Sequence, residues 1–129
     1  MSDAIDDGRS GPFEGIRVVD GVWIEMADGC RLAARLWLPE DARERPVPAI
    51  FEYIPYRLRD DRAVLDQRNH AWFARNGYAG VRVDLRGSGD SEGVLEDEYL
   101  QRELDDGLEV LRWIAAQPWC DGRVGMFGI

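Results

Sequence analysis

The stretch Asp121–Ile129, DGRVGMFGI, decides the fold. Asp121-Gly122 is a turn dipeptide, and the apolar run behind it finishes on the small residue Gly128. A short apolar run bounded by turn residues reads as a buried strand, the fifth predicted in the chain. Just before it, Glu96–Pro118 (EDEYLQRELDDGLEVLRWIAAQP) has the clearest helical period. Leu100, Leu104, Leu108, Leu111 and Ala115 recur every three or four residues, which predicts an inward face. The predicted first turn is acidic, as the helix dipole favours, and Pro118 ends the helix.

Further back, Ala79–Leu85 (AGVRVDL) reads as the fourth strand and Arg86–Val94 (RGSGDSEGV) as a turn-rich loop. Asp66–Tyr78 has helical spacing in Ala71, Trp72 and Arg75, with Asn76-Gly77 as a stop. Val47–Tyr56 (VPAIFEYIPY) reads as a third strand whose continuous apolar start predicts burial on both faces. Ile16–Pro39 alternates as two antiparallel strands about the turn Ala27-Asp28-Gly29. Val22, Ile24 and Met26 share a side before that turn, and Leu32, Ala34 and Leu36 do so after it. A β-hairpin followed by alternating strands and helices predicts an α/β fold, a mostly parallel sheet with helices on its faces. Residues 1–13 are polar and glycine-rich and read as a loose arm; residues 14–129 read as one domain without internal repeats.

The composition narrows the function. The chain has 129 residues, 45% apolar and 32% charged, a globular balance. A net charge of −9 opposes nucleic-acid binding, which needs a basic face. The sixteen basic residues are all Arg, which removes lysine bases, Schiff-base chemistry and Walker-type phosphate loops from these 129 residues. Cys30 and Cys120 are too few and too far apart for a zinc site or disulfide framework, and one histidine, His70, adds no metal-binding spacing. No metal or cofactor is expected. No run approaches the roughly 20 apolar residues that span a bilayer, and the acidic, glycine-rich opening is unlike a signal peptide, so the expected location is cytoplasmic.

Several candidate sites compete. In DLRGSGDSEG (84–93) a dinucleotide-binding fingerprint fails, because the third glycine falls at 93 and Glu92 stands in its place. Gly89-Asp90-Ser91-Glu92-Gly93 formally matches G-x-S-x-G, the nucleophile elbow of the α/β-hydrolases. An elbow serine sits on the sharp turn between a strand and a helix, whereas Ser91 is remote from both and is flanked by acids. No histidine follows it, so Ser91 is read as a loop residue. His70, in an amphipathic helix beside Trp72 and Phe73, is expected at a helix surface or core edge rather than as a base. Tyr56, just past the third strand, stands where sites form in parallel sheets, and its phenol could donate a hydrogen bond to charge developing on a substrate oxygen. Gly128-Ile129 supplies the first two positions of G-x-S-x-G, with the glycine giving room for a tight reversal.

From about Val22 to Ile129 the chain resembles the amino-terminal part of the CocE/NonD hydrolases, the cocaine esterase and Xaa-Pro dipeptidyl-peptidase group of α/β-hydrolases. The stretches that carry the resemblance are ADGCRLAARLWLP, YIPYR, NGYAGVRVDLRGSGDSEG and WIAAQPWCDGRVGMFGI. It implies a serine hydrolase that splits an ester, an amide or an Xaa-Pro dipeptidyl bond through an acyl-enzyme. Tyr56 matches the tyrosine that completes the oxyanion hole, and Gly128 and Ile129 match the start of the elbow, with the serine next. The acid and histidine lie further downstream in that family, so these 129 residues are expected to be inactive by themselves. The implied partner is a small ester, amide or peptide substrate, with no nucleic acid, membrane or cofactor, and the oligomeric state is left open. Two alternatives remain: a partner-binding module without catalysis, and an Asp or Cys nucleophile at the elbow.

Overall fold

The computed structural model describes residues 15–54, 62–85, 91 and 99–127. Strands β1 (Ile16–Glu25) and β2 (Arg31–Pro39) form the predicted hairpin, with β3 (Val47–Ile54), β4 (Ala79–Asp84) and β5 (Cys120–Phe127) following. Helix α1 (Arg62–Arg75) connects β3 to β4, and α2 (Tyr99–Ala115) connects β4 to β5. The sheet order is β1-β2-β4-β3-β5. It is mixed: β2 is antiparallel to both β1 and β4, whereas β4, β3 and β5 run parallel. Parallel neighbours need crossovers, and α1 and α2 supply them.

Alternation along the central strands gives the sheet two faces. Ala79, Val81 and Val83 of β4 join Ala49 and Phe51 of β3 and Leu32, Ala34, Leu36 and Leu38 of β2 in the larger core, which Val110 and Ile114 of α2 cover. Under α1 lies a smaller cluster of Ile16, Trp37, Ala71 and Ala74. The hairpin turn is tied to α2: the Ala27 N–H donates to Glu109 Oε1 at 2.7 Å, and Arg102 pairs with Asp28 at 3.3 Å. Cys30 and Cys120 are both free thiols.

The helices depart from the sequence expectation in informative ways. In α2, Leu104 and Leu108 are 56% and 52% exposed, and Leu111 and Ala115 are half-buried; the side chain of Leu100 lies outside the described set. The face turned to the sheet carries Asp106, Gly107, Val110 and Ile114, about a third of a turn from the leucine stripe. Apolar period locates a stripe but does not say which of two adjacent stripes meets the sheet. Branched Val110 and Ile114 pack there, and Gly107 leaves room for the Tyr53 ring, which a Cβ would meet at 3.3 Å. The helix also has no acid in its first turn, since it begins at Tyr99, after the acidic run.

Helix α1 starts at Arg62, earlier than the Asp66 suggested by the pattern, and of the residues whose spacing marked it Ala71 is buried while Trp72 is 54% exposed. His70, Ala71 and Ala74 are the buried residues among those whose side chains are described. The stop at Asn76-Gly77 forms as expected: Gly77 has φ +91°, and the Tyr78 N–H donates to Phe73 C=O at 3.0 Å. Among the described residues, no helix is long and apolar enough to cross a membrane.

Candidate active site

The parallel strands β4, β3 and β5 share one carboxyl edge, where sites form in such sheets. Glu52 of β3 stands opposite Phe127 of β5, so the two strands leave the sheet side by side, at Ile54 and Phe127. Adjacent strands lie about 4.8 Å apart. In the sequence, Tyr56 comes two residues after the end of β3 and Gly128 one residue after the end of β5. Tyr56, Gly128 and Ile129 themselves lie outside the described residues.

Beneath this edge, on the α1 face, is a buried polar layer. The even-numbered residues of β4, namely Gly80, Arg82 and Asp84, pair across β3 with Ile50, Glu52 and Ile54. Arg82 also stands opposite Arg35 of β2, whose guanidinium forks onto Asp20 at 3.2 and 3.0 Å. Glu52, Arg82 and Asp84 are all buried. Glu52 Oε1 lies 2.9 Å from His70 Nε2 of α1. The His70 ring stacks on Trp37, with centroids 4.6 Å apart and planes 13° from parallel, and meets Phe73 edge-on at 5.5 Å. Gly80 lies against the ring so closely that an added Cβ would fall 2.5 Å from Nδ1.

His70 is thus neither a surface nor a core-edge residue: it is completely buried. The amphipathic reading misplaced it because an imidazole held by a carboxylate and stacked on an indole can enter a core that an unpaired one avoids. Two signals in the sequence pointed to the pair, a glutamate inside the apolar strand VPAIFEYI and the chain's single histidine. With one ring nitrogen on Glu52 inside the fold, His70 is a poor candidate for a base acting on substrate.

Ser91 is bound to the backbone. Its hydroxyl donates to Asp84 C=O at 2.7 Å and accepts from the Ala33 N–H at 2.8 Å. The last register pair recorded between β2 and β4 at this end is Ala34–Val83, so the hydroxyl bridges the next pair, Ala33 and Asp84. An oxygen whose proton goes to a carbonyl is not activated for attack. Ser91 itself lies in neither helix nor strand and its hydroxyl is engaged with the backbone, while the rest of the predicted loop 86–94 lies outside the described residues. Among the described residues, no group of His, Cys, Asp and Glu could hold a metal ion.

A mixed sheet of this order, with crossover helices on its two faces and adjacent parallel strands ending at one edge, defines an α/β fold of the hydrolase kind. Comparison with known proteins narrows the class. Residues 28–129 match the X-Pro dipeptidyl-peptidase (S15) family. The chain belongs to that family, within the CocE/NonD hydrolases. It is 41% identical over 115 residues to the cocaine esterase of a Rhodococcus species, a match covering 87% of this chain and 19% of that protein. A Mycobacterium bovis protein provisionally named a serine esterase is 35% identical over 132 residues, covering 90% and 21%. Among solved structures, a CocE/NonD family hydrolase from Staphylococcus aureus superposes with a TM-score of 0.73 at 25% identity, covering 88% of this chain and 23% of that one. An α-amino acid ester hydrolase shares the fold with a TM-score of 0.69 at 23% identity, over 88% and 21%. The chain therefore spans about a fifth of the length of the curated relatives it matches.

Proposed function

We propose that these residues are the leading part of the catalytic domain of a serine hydrolase, which cleaves ester or amide bonds by acyl transfer to serine and then to water. The observation that carries this reading is the adjacency of β3 and β5, which leave the sheet together at Ile54 and Phe127. Tyr56 follows one strand and Gly128-Ile129 the other, so an oxyanion donor and a nucleophile elbow would belong to neighbouring strand ends. In this reading residues 14–129 belong to the catalytic domain and residues 1–13 form an arm before it.

The chemistry is divided accordingly. The serine after Ile129 adds its Oγ to the substrate carbonyl carbon as its proton passes to the base, which later gives it to the leaving group, and the carbonyl electron pair moves onto oxygen. The Tyr56 hydroxyl donates a hydrogen bond to that oxyanion, together with the backbone N–H of the residue after the serine. Collapse of the adduct expels the alcohol or amine, which takes up a proton, and leaves an acyl-serine that water hydrolyses. The base and the acid that orients it belong to later sequence, because His70 is committed to Glu52 and Ser91 to the backbone. These 129 residues by themselves are inactive in this reading.

Tyr56→Phe in the full-length hydrolase tests the assignment. Removing one oxyanion donor lowers kcat by about two orders of magnitude with KM little changed. Turnover of an acyl ester within twofold of the parent would take Tyr56 out of the mechanism.

A further inference from the structure

The buried Glu52–His70 pair is not used by the chemistry above. We propose that it is a positioning device: it sets the height of α1 along the sheet and so fixes both ends of the connection 55–61 that carries Tyr56. The inference rests on the reading of Tyr56 as oxyanion donor.

The pair spans this connection. Glu52 lies two residues before the end of β3, and His70 lies in the helix that the connection enters. Their 2.9 Å bond joins the two elements where neither side chain reaches water. Four elements define the ring's place: Trp37 of β2 by stacking, Glu52 of β3 by hydrogen bond, Gly80 of β4 by close approach, and Phe73 of α1 itself by its edge.

Over residues 68–75, where the side chains of α1 are described, the buried apolar contacts are small ones. Its buried apolar residues, among those whose side chains are described, are Ala71 and Ala74. Contacts of that kind are non-directional and do not by themselves fix a height along the sheet. A hydrogen bond in a water-excluded site has one preferred length and direction. Burying a carboxylate and an imidazole is also poor economy for stability alone, since well-packed apolar replacements are often neutral or better. A geometric role accounts for the pair where a stability role does not.

The test uses the full-length hydrolase with an acyl ester as substrate. Glu52→Leu combined with His70→Phe keeps bulk and stacking while removing the bond. The expected result is a kcat reduced about 10- to 50-fold, with KM within about twofold and an unchanged unfolding midpoint. Amide hydrogen exchange in 55–61 should accelerate. Glu52→Gln retains an acceptor facing Nε2 and should stay within about threefold of the parent. In a Tyr56→Phe background the double replacement should cost nothing further, because the pair acts through Tyr56.

A kcat within twofold and unchanged exchange in 55–61 would overturn the proposal, as would an equal loss of kcat in both backgrounds. If the double variant does not fold, Glu52→Met, similar in volume but without an oxygen acceptor, replaces it in the same comparison with Glu52→Gln. If Tyr56→Phe alone retains parental turnover, the oxyanion reading fails. Exchange in 55–61 then decides the clamp: acceleration keeps it and constancy removes it.

Discussion

The two faces of the sheet solve the problem of burial in opposite ways. On the α2 face, Phe51, Val81, Val83, Val110 and Ile114 make an aliphatic and aromatic core, which the hydrophobic effect stabilises without regard to direction. On the α1 face, the same strands present Glu52, Arg82 and Asp84, and the helix answers with His70 over Trp37. Residues one position apart on β3, Phe51 and Glu52, belong to these two regimes. The contrast teaches that apolar packing dominates the α2 face, where Asp106 is the buried polar exception, while on the α1 face buried polar side chains of β3, β4 and α1 lie together near the end of β3.

The largest expected effect is on the apolar face. Phe51→Ala should destabilise the fold by about 3–5 kcal/mol, the range for removing a fully buried aromatic ring, read as a lower urea midpoint. A loss as small as that of a surface substitution would break the contrast. On the polar face, Gly80→Ala places a methyl group 2.5 Å from His70 Nδ1 and 2.8 Å from its Cβ. Neither atom is the free end of a flexible chain, so the ring or α1 must shift, at a cost of about 1–3 kcal/mol. Because this chain has a single histidine, a changed set of imidazole ring signals in NMR would report the displacement directly.

The smallest effect comes from an exposed ion pair, which serves as a control for the buried one. Arg123 donates to Asp121 Oδ2 from Nη2 at 2.7 Å and from Nε at 3.2 Å. The side-chain hydrogen bond from Arg123, helped by the Arg123 backbone N–H, holds the Asp121 carboxyl below its usual value of 3.8. A carboxyl lowered in the folded state favours folding above its unfolded pKa, and that contribution fades as pH falls through the lowered value. Solvent screens a pair this exposed, so Arg123→Ala should return the Asp121 carboxyl toward its ordinary range in a carbon-13 titration and leave the unfolding midpoint where it was. A clear drop in that midpoint would mean that this exposed pair contributes to stability despite solvent screening.

The strands were legible in the sequence because their signals are local. The turn at Ala27–Gly29, the apolar start of Val47–Phe51 and the run Val124–Phe127 each give a period or a boundary within a few residues. The faces of the helices were less legible. Which stripe of α2 meets the sheet depends on Gly107 lying over Tyr53, and the inward turn of His70 depends on Trp37, Glu52 and Gly80. Those partners sit on three strands, and no window along the chain holds them together. Of the candidate site, the sequence indicated the strand ends and the dismissal of Ser91; it did not indicate that the Ser91 hydroxyl closes a backbone gap. Tyr56, Gly128 and Ile129 stay as the sequence and the family resemblance assign them.

That last contact has a consequence for how the chain tolerates changes of length. By joining Asp84 C=O to the Ala33 N–H, the Ser91 hydroxyl fastens the end of β4 to β2. The contact holds residues seven positions apart, Asp84 and Ser91, together with Ala33 of another strand, so it ties the spacing of those two positions to the register of β2 and β4. Homologues that keep this serine should therefore keep its distance along the chain from the end of β4.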